Sequence, residues 1–189
     1  MATIQIHPLT PDRWDDFASV MGPRGAVNGC WCMYPRLPKK VLESQSGNEN
    51  RDAMRGIVQA GEIPGLLAYA DGVPAGWCAI APRDRYVRLD KSRVAQPLDD
   101  RPAWSVVCLF ITKPFRRQGI SVALLKGAVE YAKSQGAGVV EGYPVDTDGT
   151  ESPDAFVWWG TLASFEKAGF VEAARRTPKR PLMRFEVRK

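Results

Sequence analysis

Three groups of residues have the types and spacing to do chemistry. The first is Cys108-Leu-Phe-Ile-Thr-Lys-Pro-Phe-Arg-Arg-Gln-Gly-Ile-Ser121, an apolar strand-like run that turns directly into a predicted helix start. The first amides of a helix have no intrahelical acceptor, and the helix dipole adds partial positive charge to them. Gly119 would let a phosphate approach that backbone, and Arg116 and Arg117 add formal charge, so the turn is suited to an anion. No Gly-Lys-Ser/Thr closes the turn and no three-glycine dinucleotide fingerprint is present. An ordinary basic strand-to-helix turn is the plainer alternative.

The second group is Glu141 and Tyr143. Glu141 sits among apolar neighbours in a strand predicted over residues 139–145, a setting that suits it to take a proton from an amine, directly or through water. Tyr143, two residues on, shares its strand face and is a candidate acid. The alternatives are a Glu141 turned to solvent and a Tyr143 that merely packs, because strand facing is not fixed by one sequence.

The third group is Cys30-Trp31-Cys32-Met33-Tyr34, followed by Arg36. A single residue between the thiols is shorter than zinc-knuckle spacing, and His7 is the only histidine, so no metal is expected. A redox pair is a second alternative. A packed loop or the apolar wall of a substrate pocket is preferred, which makes Trp31 and Tyr34 the candidate substrate contacts. Cys78 and Cys108 fall in predicted strands and read as buried fillers. Asp146, Asp148, Glu151 and Asp154 crowd one loop, which reads as a solvated turn bending at Asp148-Gly149 or as a lure for a cationic amine.

These groups need elements to hold them. Residues 4–6 alternate as a first strand, and Thr10 with Pro11 opens a helix carrying Trp14, Phe17 and Met21. After a loop over 22–39, Asn48 is the predicted cap of a second helix, which Gly61 ends. Residues 65–70 and 75–81 form a hairpin around Asp71-Gly72. Residues 83–101 alternate charge with few apolar anchors and read as a surface excursion, with a loop that shapes a site as the other reading. Residues 104–112 make the strongest strand, doubly buried, and a helix runs from Ile120 through Leu124, Ala128 and Tyr131 to Gly136. A short helix over 160–168 and a last strand over 181–187 complete the chain.

The chain has 189 residues, 44% of them hydrophobic and 25% charged, with a net charge of +5. That composition builds one folded domain over 1–189 and excludes wholesale disorder. No apolar run approaches the ~20 residues of a membrane helix, and the first residues carry no secretory signal, so no membrane partner and a cytoplasmic location with reduced cysteines are expected. The basic excess is modest and lacks a long basic face, so no nucleic-acid partner is expected.

Arg116-Arg-Gln-Gly119-Ile-Ser121 resembles the Arg/Gln-x-x-Gly-x-Gly/Ala signature of the GNAT superfamily of acetyl-CoA-dependent N-acetyltransferases. The strand before it, the helix after it, the strand over 139–145 and the late Phe165-Glu-Lys-Ala-Gly-Phe170 fall where that family places them. The resemblance implies an α+β fold with a mixed, mostly antiparallel twisted sheet and helices on both faces. It implies acetyl-CoA as cosubstrate, with pyrophosphate on the turn of Arg116, Arg117, Gln118, Gly119, Ile120, Ser121 and Val122. Leu109, Phe110 and Ile111 would pair with the pantetheine arm, and a bulge in that strand would aim a backbone amide at the thioester oxygen. The implied reaction is direct attack by a primary amine of a small molecule or peptide. Ser121 replaces the usual Gly or Ala, Phe165 stands where many relatives carry a tyrosine acid, and Trp158 stands where relatives often have an asparagine. Phe165 keeps a second class open, an acyl-CoA-binding module with little or no turnover. Homodimerisation is left open.

Overall fold

The computed structural model describes residues 2–148 and 157–187. Glu151, Asp154 and the Gly149 of the predicted bend lie outside them. The elements run β1 (Ile4–Pro8), α1 (Trp14–Met21), α2 (Lys39–Ser44), α3 (Gly47–Gln59), β2 (Gly65–Ala70), β3 (Val73–Pro82) and β4 (Trp104–Ile111). They continue with α4 (Ile120–Ser134), β5 (Val139–Gly142), α5 (Leu162–Lys167), β6 (Val171–Thr177) and β7 (Arg180–Glu186). All seven strands join one sheet in the order β1-β2-β3-β4-β5-β7-β6. Its ladders are antiparallel except β4 with β5.

That one parallel ladder positions the site. Strands β4 and β5 pair only from Trp104 opposite Val140 to Val106 opposite Gly142. In the β3–β4 ladder Ala79 faces Cys108 and Ile80 faces Val106, so Val107 is an extra residue and β4 carries a bulge there. Past it β4 continues to Ile111 while β5 has ended, and the sheet opens into a wedge. Gly142 is required at the fork, because a Cβ there would collide with the Phe165 ring.

Each sheet face has its own core. Trp14, Phe17, Met54, Trp77 and Val107 pack on the face covered by α1 and α3. Leu66, Cys78, Ile80, Leu109, Leu124 and Phe165 pack on the face covered by α4 and α5. Alternation alone would put Val107 and Leu109 on one face; the bulge at Val107 shifts the phase and sends them to opposite cores.

Several predicted elements shift. Helix α3 is capped by Ser46, which accepts from the Glu49 amide at 3.3 Å while Glu49 Oε2 accepts from the Ser46 amide at 2.7 Å. This reciprocal box outcompetes the predicted Asn48. The strand predicted over 139–145 ends at Gly142, and Val145 instead bridges Thr161. Strand β6, exposed along most of its length, went unpredicted. The excursion over 83–101 is more than surface, because Tyr86, Leu89 and Ala95 are buried in it. Arg176 fastens it by donating to the carbonyls of Val94, Gln96 and Pro97.

Candidate active site

At the end of β4, Arg117 (φ 60°) and Gly119 (φ 83°) both take left-handed backbone. Gly119 is the N-cap of α4, no side chain caps that helix start, and nothing lies within 4 Å of where a Cβ on Gly119 would stand. Left-handed residues in such a turn form the backbone of an anion nest, and the uncapped first turn of α4 beside the open space at Gly119 suits an anion. Arg116 Nε donates to the Ile111 carbonyl at 3.1 Å, tying the turn back to β4, and the Gln118 side chain donates to Pro114. Ile120 is buried under α4, and Ser121 Oγ lies 3.3 Å from Ser164 Oγ of α5.

Along the open stretch of β4, the amides of Phe110 and its even-numbered neighbours serve β3, while those of Leu109 and Ile111 face the wedge. The Leu109 amide donates at 2.7 Å to the Trp158 carbonyl, so the segment over 157–160 lies against β4.

At the fork, Glu141 is 1% exposed, and its predicted solvent-facing alternative falls. Arg184 of β7 grips Oε1 through Nη2 at 2.6 Å and Nε at 3.0 Å, while the Tyr143 hydroxyl donates to Oε2 at 3.3 Å. Having given its one proton to Glu141, the phenol oxygen accepts from Arg83 Nη1 and from Ser105 Oγ, each at 3.0 Å. Burial, and then the Glu141 charge, push the Tyr143 hydroxyl up to about 12, so it is a neutral phenol at any physiological pH. Arg184 is itself held by Asp99 at 2.6 Å, and the Arg184 and Arg101 guanidiniums hold that carboxyl well below the usual range.

The sequence reading missed Arg184, Asp99, Arg83 and Ser105. The signal for Arg184 was a lone charge inside the apolar Pro181–Phe185 run; Ser105 reaches the site from β4, and Arg83 and Asp99 reach it from the segment over 83–101. Phe165 is fully buried and packs edge-on against Phe170 at 5.0 Å.

The Cys30–Tyr34 segment splits. Cys30, Cys32 and Tyr34 line one cavity together with Cys108 and Phe110 of β4, so Cys108 both packs against the core and forms part of a cavity wall. Trp31 stacks on Trp14 in the core and lines a separate cleft instead. The Cys108 thiol hydrogen-bonds to Cys32 and lowers it below the ordinary thiol value despite burial, while burial and neighbouring Cys32 push Cys30 up to about 11. Among the described residues no group of three or more His, Cys, Asp or Glu could hold a metal ion. Asp146 and Asp148 are paired with Arg175 and Lys179. Also among those residues, no helix is long and apolar enough to cross a membrane.

The profile of the acetyltransferase (GNAT) family matches residues 31–156. This chain belongs to that family. As a GNAT acetyltransferase it is an acyltransferase with the α+β fold expected of the family: a seven-stranded, mostly antiparallel sheet with helices on both faces. Solved structures agree on the fold. The PaiA N-acetyltransferase of Thermoplasma acidophilum, determined with coenzyme A, is 14% identical with a TM-score of 0.55, covering 98% of this chain and 99% of that one. A GNAT-family acetyltransferase of Streptococcus agalactiae is 13% identical with a TM-score of 0.57, covering 98% and 96%. One from Listeria monocytogenes is 12% identical with a TM-score of 0.56, covering 97% and 95%. No curated protein sequence matches this chain.

Proposed function

We propose that this acyltransferase moves the acetyl group of acetyl-CoA to a primary amine of a small molecule or peptide by direct attack. The observation that carries this reading is the uncapped, left-handed Gly119 turn standing at the end of a strand whose outward amides border a wedge. The turn suits a pyrophosphate, and the outward amides of Leu109 and Ile111 suit an extended amide-bearing arm. For Leu109 to serve that arm, the Trp158 carbonyl must let go of it. Acetyl-CoA supplies the activated acyl group. The amine nitrogen bonds to the carbonyl carbon, the carbon–sulfur bond breaks, and one proton passes from nitrogen to sulfur.

Residues of the fork handle that proton. Glu141 and Tyr143 are both buried and hydrogen-bonded to each other, so in this reading the amine must uncover the phenol before its proton can pass through Tyr143 to Glu141. In this relay the Ser105 hydroxyl turns away from the phenol, whose freed lone pair takes the amine proton as its own proton moves to Glu141 Oε2, and the reverse transfer protonates the departing sulfur. Cys30, Cys32 and Cys108 are free thiols, which suits a reducing cytoplasm.

A second reading, an acyl-CoA-binding module without turnover, is favoured by Phe165, which has no proton to give. A thermal-shift titration with acetyl-CoA, with ATP and NAD as controls, followed by coenzyme release under a panel of amines, separates the readings. Stabilisation that grows with acetyl-CoA alone, together with amine-dependent release, is the expected result. Stabilisation without release leaves the module, and no stabilisation removes both.

Gly119→Val tests the turn itself. A β-branched residue at φ 83° costs about 1–2 kcal/mol of stability and puts carbon into the open space above the amides. Acetyl-CoA affinity is expected to drop at least about tenfold, since this is where charge-assisted bonds to phosphate would form. Unchanged affinity in titration calorimetry would move the coenzyme elsewhere.

A further inference from the structure

The Cys30–Tyr34 segment closes a cavity of about 490 Å³ with α2, α3 and β4. Its surface is largely apolar, formed by Met21, Val27, Tyr34, Leu42, Phe110 and Trp158 among others. Two amide oxygens interrupt it. Asn50 is 3% exposed and donates Nδ2 to the Gly29 carbonyl at 2.9 Å, which fixes its remaining atom as an acceptor. That Oδ1 is buried without a hydrogen-bond partner, as is Oε1 of Gln45, and both residues line the cavity. Among the described lining residues the only charged one is Glu43, an anion. A buried acceptor without a partner is costly, and a ligand that brings an N–H to it recovers the cost. A carboxylate or phosphate has nothing to donate and would meet two oxygens and Glu43.

We propose that this cavity is the acceptor site and that it selects a primary amine on an aromatic or branched apolar body ending in an N–H donor without negative charge, such as a carboxamide. Asn50 and Gln45 receive the donor end. The reacting end faces β4, where Cys108 and Phe110 flank Leu109; that half of the proposal rests on the acetyl-transfer reading, while the donor half does not. Mutual packing of Tyr34 against Trp158, with ring centroids 5.4 Å apart, gives the body an aromatic wall. The apolar wall the sequence suggested for the Cys30–Tyr34 segment thus acquires a ligand chemistry.

Benzylamine and its para-carboxamide and para-carboxylate derivatives share one shape and differ at the recognition end. With the protein saturated by coenzyme A, titration calorimetry is expected to show the carboxamide binding at least about tenfold tighter than either of the others. Asn50→Leu should remove that advantage. Because Asn50 also holds the Gly29 carbonyl, Gln45→Leu serves where that variant fails to fold, and should cut the advantage at least about threefold. A carboxamide that binds no tighter than the carboxylate, the absence of binding by all three, or an advantage untouched by the folded variants would overturn the proposal. Coenzyme release from acetyl-CoA is measured separately on the same amines. Selective binding without release removes the transfer reading and leaves the cavity's selectivity standing; equal release with all three removes the selectivity and leaves transfer.

Discussion

Arg184→Met is expected to lower stability by about 3–5 kcal/mol, the cost of leaving one member of a buried ion pair alone. Glu141 stays 1% exposed, and its Oε1 loses the contacts from Arg184 at 2.6 and 3.0 Å. For a chain of this size that corresponds to a melting temperature lower by roughly 6–20 °C. The double variant Glu141→Leu with Arg184→Met should recover most of the loss, since an apolar pair of similar volume carries no desolvation debt. Acid unfolding supplies a second measurement. Asp99 is held below its ordinary value of 3.8, chiefly by Arg184 and then by Arg101. A carboxylate with a depressed folded value contributes stability that is full above the unfolded value and disappears as pH falls through the folded one. In the wild type this contribution survives below 3.8; in Arg184→Met, with only Arg101 left, the acid unfolding midpoint should move up. A variant that melts like the wild type would show that the pair is relaxed by water.

Why Arg184 escaped the sequence reading follows from where its partners sit. Glu141 approaches it through lateral strand pairing and Asp99 from the segment over 83–101, contacts between distant parts of the chain that one sequence does not encode locally. Strand β6 escaped for a related reason. It is an edge strand, and its Glu172, Arg175 and Arg176 give it none of the apolar alternation by which strands are read, although charge is how a sheet edge resists further pairing. By contrast β4 was legible because burial on both faces demands a continuous apolar run, and the Gly119 turn because a glycine and two arginines stand between that run and a helical pattern. The excursion over 83–101 fell between these cases. Its charges are patterned like a surface, while Tyr86 and Leu89 are spaced too sparsely to announce that they enter the core. The fork itself was half visible: the residue types of Glu141 and Tyr143 marked them out, whereas the direction each faces is fixed only by the ladder to β7.

Tyr143→Phe should separate chemistry from packing at that fork. If the phenol relays the amine proton, its loss is expected to reduce kcat by about 100-fold or more, the usual weight of a positioned proton-transfer group, with acetyl-CoA affinity unchanged. The same substitution strips a partner from Arg83, Ser105 and Glu141, so some stability, on the order of 1–3 kcal/mol, is lost as well. Ser105→Ala provides the comparison, because it removes one hydrogen bond from the network while leaving the phenol and Glu141 in contact; its kcat should stay within about threefold of wild type. The pH behaviour distinguishes the two roles further. With Tyr143 pushed up from 10.0 to about 12, the wild type should show kcat rising as the amine becomes neutral and no alkaline decline from this phenol below pH 10. A raised folded value makes the linked stability complete below 10.0 and erodes it as pH climbs toward about 12, and Tyr143→Phe should lose that part of the alkaline dependence. A variant that keeps wild-type kcat and loses only stability would make Tyr143 a strut for Glu141 and Arg83. The proton would then have to leave the amine by a path that avoids Glu141, whose other hydrogen-bond partner is the Arg184 guanidinium.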